Sequence, residues 1–264
     1  MPPAHAQSVL AGDLLPDLDD LTGVGLLVAL PLLASFLAVA AHNLDSKPGD
    51  TGVLVTEAIG TYLVVLCVLK APGSAGLVYV AMIYLGAHTS HAHYNPAITL
   101  AHYLAGTASQ ESFFRYAAAQ TGGALLAGAT AISQGDTTMP SIDGGATPLT
   151  IIFAEALVSF AIILVHLNAL GGEIKKGRKG NEHYGLSVGF TFLAGFATVK
   201  SISGGLFNPA AGLGLWVAKG ITGSGFGFGS TLYYILSPAV GAVFANWAYQ
   251  YQKAGKAKMT SLAA

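Results

Sequence analysis

The tripeptide Asn-Pro-Ala occurs twice in this chain, at Asn95, Pro96 and Ala97 and again at Asn208, Pro209 and Ala210, each time after a long apolar stretch. Asparagine caps helix N-termini well, and proline suits the first helical position, where its missing N–H takes nothing from the helix. Each tripeptide is therefore predicted to start a helix, over 98–106 and 211–220. Both fall well short of the about 20 residues needed to cross a bilayer. They read as half-helices whose N-termini lie at membrane depth, where non-helical backbone is tolerated only if it is buried in protein or lines a watery cavity.

Composition agrees with that placement. Of the 264 residues 53% are hydrophobic and 9% charged, and the mean hydropathy is +0.58. A soluble domain carries about 25% charged residues, so the chain is expected to be an integral membrane protein. A net charge of -1 excludes a nucleic-acid binder with a basic face. Cys67 is the only cysteine, which rules out a disulfide within the chain. The first twenty residues have no basic stretch ahead of an apolar one and are not expected to act as a secretory signal.

Seven apolar segments are helix candidates, at 21–41, 53–69, 75–87, 113–132, 149–170, 184–199 and 232–249. The third and sixth lead into the half-helices. Gly and Ala recur through them, as membrane helices need for close packing. Lys175, Lys176, Arg178 and Lys179 cluster between the fifth and sixth segments, and Lys253, Lys256 and Lys258 fill the tail. Both regions are expected to be cytoplasmic, with contact to anionic lipid open to them. The loop before Pro148 has Asp136 and Asp143 and no basic residue, and is expected on the other side. The expected organisation is an extension over 1–50, whose apolar segment 21–41 spans, lies as an interfacial helix or breaks at Pro31; a channel domain over 51–250, with repeats at about 53–133 and 149–250; and a basic tail over 251–264.

The halves match. Glu57 and Glu155 each sit inside an apolar helix, followed by a second helix, an Asn-Pro-Ala, a half-helix and a third helix. Three spanning helices per half is an odd number, so the second half is expected upside down relative to the first, with the half-helix N-termini meeting near the midplane. Their dipoles and unsatisfied N–H groups oppose cations there. If the Asn95 and Asn208 oxygens cap their own helices, their NH₂ groups are expected to point into the lumen as donors.

Intramembrane carboxylates need a partner or a function. Glu57 and Glu155 are read as acceptors for the loop backbone entering each half-helix; a proton-coupled transporter would use them as carriers instead. His88, His91 and His93 precede the first box, but their spacing, without Cys or carboxylate, does not complete a tetrahedral shell. They are read as loop hydrogen-bonders or a pH-sensitive gate, and no metal or cofactor is expected. His102 faces either its neighbours or the cytoplasmic vestibule.

The paired boxes, the Glu-Ala-Ile-Gly-Thr run at 57–61, His93 to Thr99 (HYNPAIT) and Ser203 to Ala210 (SGGLFNPA) resemble the aquaporin, or major intrinsic protein, family over about 53–249. The resemblance implies an all-α fold of six spanning helices plus two half-helices, a pore in each monomer, a homotetramer, and passive conduction of water or small neutral solutes. No catalytic constellation is visible. The residue after the second box is commonly Arg in that family and is Ala211 here. By the same resemblance the other constriction positions are Ala75, Phe196 and Gly205, which implies a filter wider than a water-only one and lacking the usual fixed positive charge. Loss of that Arg is shared with the small basic intrinsic proteins, although both boxes are intact here. A structural subunit of a larger assembly, contacted through 21–41, is an alternative function. Only 38 positions separate Glu57 from Asn95, against 53 between Glu155 and Asn208, so the first connection, near 70–74, must be tight.

Overall fold

The computed structural model describes residues 48–134, 140–170, 183–221 and 227–262. The apolar segment 21–41 and the basic cluster 175–179 lie outside them. Among the described residues eight α-helices follow in order: α1 Pro48–Lys70, α2 Ala75–Ser90, α3 Pro96–Leu104, α4 Gln110–Ser133, α5 Pro148–Leu170, α6 Tyr184–Ser203, α7 Pro209–Ile221 and α8 Phe228–Leu262. No strand occurs among the described residues.

Local chemistry sets the helix ends. After Lys70 the chain has one free residue before a 3-10 turn at Pro72–Ser74, and α2 starts at Ala75, so the connection is as tight as its spacing requires. Ser109 caps α4 by accepting from the Ser112 N–H at 3.0 Å, and Thr147 does the same for Thr150 at 3.2 Å ahead of α5. Helix α8 runs on to Leu262, past the apolar segment and through the lysines. Lysine is a good helix former, so the basic tail extends the helix rather than ending it.

Among the described residues four helices are long and apolar enough to cross a membrane: Asp50–Lys70, Pro148–Ala169, Tyr184–Ser203 and Phe228–Gly255. Helix α2 has 16 residues, about 24 Å of rise. Helix α4 has the length, but Glu111, Arg115 and Gln120 dilute its apolar character. Helix α2 packs on α1 and α6, and α4 on α1 and α7, while Leu77, Leu85 and Phe114 stay exposed on their outer faces.

Packing follows the repeat. The most extensive contacts are α1 with α4 and α5 with α8; α1 also meets α2 as α5 meets α6, α4 meets α7 as α8 meets α3, and α1 meets α7 as α5 meets α3. Exchanging α1–α4 for α5–α8 carries these contacts onto one another, while α2 with α6 and α3 with α7 map onto themselves. Glycines set the closest approaches. A Cβ at Gly241 on α8 would stand 2.7 Å from the Ala156 carbonyl oxygen of α5, and one at Gly123 on α4 would run into the Ala58 carbonyl of α1. On the pseudo-twofold axis Gly76 and Gly189 face each other's backbone, with added Cβ atoms 2.5 and 2.6 Å from the opposing carbonyl oxygens. Three of the helices in each half run end to end, so α5 starts at the opposite end of the bundle from α1.

Candidate functional site

The half-helices α3 and α7 have 9 and 13 residues, about 14 and 20 Å long. Each is fed by a loop with left-handed residues that turn its backbone polar groups inward. His91, Ala92 and Tyr94 have φ of 66, 52 and 51°, and Gly204, Gly205 and Phe207 have 83, 70 and 54°. Tyr94 holds this conformation because its ring is socketed where only glycine leaves room, against Gly60 and Gly86. Its hydroxyl donates to the Met82 carbonyl at 2.9 Å.

Both carboxylates sit beneath these loops, fully buried. Glu57 Oε1 accepts from the Ser90 hydroxyl at 2.6 Å and the His93 N–H at 2.9 Å, and Oε2 from the Tyr94 N–H at 2.7 Å. Glu155 repeats the set with the Ser203 hydroxyl at 2.5 Å, the Leu206 N–H at 3.2 Å and the Phe207 N–H at 2.7 Å. The serines also accept one N–H each, from Ala92 and Gly205. Tyr116 donates to the Ser90 carbonyl, and Tyr234 donates to that of Ser203. Without these acceptors the left-handed loops would leave buried N–H groups orphaned.

At the boxes Asn95 Oδ1 caps α3 by accepting from the Ala97 N–H at 2.8 Å, and Asn208 Oδ1 caps α7 through the Ala210 N–H at 3.0 Å. The NH₂ groups are not wholly free, as the sequence reading had them. Asn95 Nδ2 donates to the Phe207 carbonyl and Asn208 Nδ2 to the Tyr94 carbonyl, each at 2.9 Å. One amide hydrogen of each pair is thus spent bolting the two loops together across the axis, which leaves one per asparagine for anything at the junction.

The halves then diverge. Gln120 on α4 donates to Glu57 Oε2 at 2.8 Å and to the Thr99 hydroxyl at 2.9 Å; its counterpart on α8 is Pro238, within the helix. His93, His102 and His166 also come together on the α3 side. His102 Nε2 lies 3.1 Å from His166 Nδ1, His166 Nε2 is 3.3 Å from the Ala92 carbonyl oxygen, and His93 Nδ1 is 3.1 Å from the Thr99 hydroxyl. The His93 and His102 rings stack with centroids 4.3 Å apart. His88 and His91 are exposed; the His91 ring stands 6.5 Å from that of His93. No group of three or more His, Cys, Asp or Glu among the described residues is arranged to hold a metal ion.

Of the four positions that the resemblance implies for a constriction, two lie close together: a Cβ on Gly205 would stand 2.8 Å from the Phe196 ring. Ala75, the first residue of α2, and Ala211, in the first turn of α7, are fully buried methyls. A cation that the sequence reading did not place here is Lys200, whose ammonium lies 5.9 Å from the centre of the Phe196 ring. Ser90, Ser203, Tyr116, Tyr234, Gln120 and His166 were also missed. The two serines, at the same offset before their boxes, were the readable signal; His166 could have been noticed as a lone imidazole in an apolar run.

These features have close parallels. The family described as Major intrinsic protein matches residues 68–249. Aquaporin NIP1-1 of Oryza sativa subsp. japonica is 30% identical over 74% of this chain and 72% of its own length. Putative aquaporin NIP4-1 of Arabidopsis thaliana is 28% identical over 75% of this chain and 74% of its own, and the Glycerol uptake facilitator protein-like 6 of Lactiplantibacillus plantarum is 29% identical over 74% and 91%. In fold, the chain resembles the aquaglyceroporin from Plasmodium falciparum, with a TM-score of 0.62 at 19% identity, covering 75% of this chain and 94% of that one.

Proposed function

The chain belongs to the major intrinsic protein family, the aquaporins, and from that premise we propose that it passes small neutral solutes such as glycerol, urea, ammonia and hydrogen peroxide as well as water. Family members are channels rather than enzymes, and this is a multi-pass integral membrane protein. The observation that carries the reading is the reciprocal bolt between the boxes, where each asparagine caps its own half-helix and donates to the loop of the other. That arrangement aims two helix N-termini at one point from opposite ends. A water there meets one amide hydrogen from each asparagine, which orients it and interrupts proton relay along a file, while the dipoles disfavour cations.

Solute width rests on reading Ala75, Phe196, Gly205 and Ala211 as the constriction: three small residues and one ring, with no Arg after the second box, favour a filter wider than a water-only one. One relative, the Glycerol uptake facilitator protein-like 6, carries glycerol uptake in its name, in keeping with this width. Glu57 and Glu155 hold the loops; their oxygens are already occupied by loop donors, which favours support over proton carriage. The chain assembles as a homotetramer, with the α5–α6 loop and the C-terminus cytoplasmic on the strength of their Lys and Arg. The test is Ala211→Arg in proteoliposomes, with water and glycerol fluxes measured separately by stopped-flow light scattering. Glycerol flux is expected to fall more than water flux; equal loss of both would mean that position 211 does not line the constriction.

A further inference from the structure

Fixed charge gathers at one end of the described bundle. Lys70 closes α1, Lys200 stands in the last turn of α6, and Lys219 in that of α7. The end of α6 lies at the start of α5, because the Asp143 N–H donates to the Ile202 carbonyl at 3.0 Å, and α5 starts where α1 finishes. Gly214 of α7 is level with Val65 of α1, whose Cγ1 is 3.1 Å from a Cβ added at the glycine; Lys219 and Lys70 each follow five residues later. All three ammonium groups therefore share the mouth to which α7 returns. Asp143 is the one acid beside them among the described residues, and its carboxylate turns back on its own loop, 3.5 Å from a Cβ added at Gly145.

A lysine in a last turn suits the helix dipole, but Lys200 does more than close α6. Phe192, Phe196 and Lys200 follow at steps of four along the side of α6 turned into the bundle, where both rings are buried and Ser203 holds Glu155. Lys200 is exposed on that side, so it meets the water of the mouth instead of the lipid. Helical side chains lean toward the helix N-terminus, which from Lys200 is inward. Its ammonium stops 5.9 Å from the centre of the Phe196 ring, within cation–π range, whereas a lysine serving only the helix end would extend into bulk water. The same ring lies 2.8 Å from a Cβ added at Gly205, in the loop that feeds α7. Ammonium, ring and loop thus follow one another at the entrance to the second box, and the first turn of α7 adds only the buried methyl of Ala211.

We propose that Lys200 sets the charge selectivity of this channel: its ammonium, held over Phe196 at the α7 mouth, turns away cations that the constriction is wide enough to admit. The inference rests on the reading that the pore passes neutral solutes of about the size of urea. A constriction of that width cannot separate such a solute from a cation of the same shape by fit. The half-helix dipoles oppose cations at the midplane with about half a charge each. A whole charge at the entrance acts before the solute has shed its water, and Lys70 and Lys219 add to the same field. The ammonium also carries three donors and no acceptor, so a solute with a carbonyl or hydroxyl oxygen finds a partner at Lys200, while a cation finds only repulsion.

Urea and guanidinium isolate this effect, because they share a planar, three-armed shape and differ by one charge. Lys200→Met keeps the length of the side chain and its packing on Phe196 and removes the charge; Lys200→Arg keeps the charge and can stack on the ring. Salt is an independent handle. The screening length falls from about 10 Å at 0.1 M to about 3 Å at 1 M, so an exposed ammonium loses reach over that range while the fit of a solute to the constriction stays the same.

The experiment measures entry of radiolabelled urea and guanidinium into proteoliposomes holding the wild type, Lys200→Met or Lys200→Arg, at about 0.1 and 1 M salt, with water permeability measured beside them. In the wild type at low salt, urea is expected to enter well above empty liposomes and guanidinium at about their level. Lys200→Met is expected to raise the guanidinium-to-urea ratio about fivefold or more, the effect of one partly screened charge. Lys200→Arg should keep the wild-type ratio, and salt should raise the ratio more in the wild type than in Lys200→Met. The charge filter is overturned, and the channel left standing, by a wild type that passes guanidinium as readily as urea at low salt, by a Lys200→Met ratio within about twofold of wild type, or by an equal rise in Lys200→Arg. If Lys200→Met does not insert, a wild-type ratio indifferent to salt overturns the filter by itself. Water entry without urea entry overturns the solute width and the filter with it; neither above empty liposomes overturns the channel.

Discussion

Replacing Glu155 by Gln tests the loop-support role quantitatively. The carboxylate has two oxygens taking three donors, with the Phe207 N–H alone on Oε2. Glutamine keeps one oxygen for Ser203 and Leu206 and turns an NH₂ toward the Phe207 N–H. One buried backbone donor is orphaned at about 1–3 kcal/mol, and the remaining bonds lose their charge assistance, for a total of about 2–4 kcal/mol. At about 2–4 °C per kcal/mol for a domain of this size, the midpoint of unfolding should fall by about 4–16 °C. Glu57→Gln is expected to cost about as much, because it orphans the Tyr94 N–H on Oε2 in the same way, while Gln120 can turn its amide and accept from the new NH₂. Cys67, the only cysteine and half-buried, allows unfolding to be followed with a thiol-reactive dye. Midpoints within 1 °C of wild type for both variants, with solute flux that now ignores a pH gradient, would refute loop support and point to proton carriage.

Other consequences follow from the same geometry. Gly241→Val sets a Cβ 2.7 Å from the Ala156 carbonyl oxygen, so α5 and α8 must part; a loss of about 2 kcal/mol or more is expected, read as a lowered unfolding midpoint, and an unchanged midpoint would contradict the packing. Tyr116→Phe removes the hydroxyl that donates to the Ser90 carbonyl at 3.0 Å; about 1 kcal/mol of stability should go, checked by the same dye assay.

The frame was legible in sequence because its parts are local. A box needs Asn and Pro in adjacent positions, and an apolar helix interrupted by Glu is conspicuous wherever it occurs, so Glu57, Glu155 and both capping asparagines could be placed without coordinates. The reciprocal amide bonds could not, since they join residues 112 and 114 apart and depend on left-handed turns in the opposite loop. His102 and His166 are 64 residues apart, on helices whose adjacency comes only from the α3–α5 contact, itself a product of the inversion. Glu111, Arg115 and Gln120 blur α4 as a membrane helix in composition alone; once folded, Arg115 reaches Asp50 at 3.1 Å and Gln120 reaches Glu57. The proposed constriction has the weakest basis in the chain's own chemistry, because Ala and Gly carry no side-chain signal and their place depends on how neighbouring rings such as Phe196 settle.

Osmotic water permeability of wild-type proteoliposomes, set against empty liposomes at pH 7.5 and 5.0, bears most directly on the claim that the paired boxes frame a conducting pore. Permeability several-fold above the empty liposomes is the expected result. Permeability equal to that of the empty liposomes at both pH values, with correctly folded and inserted protein, would contradict it.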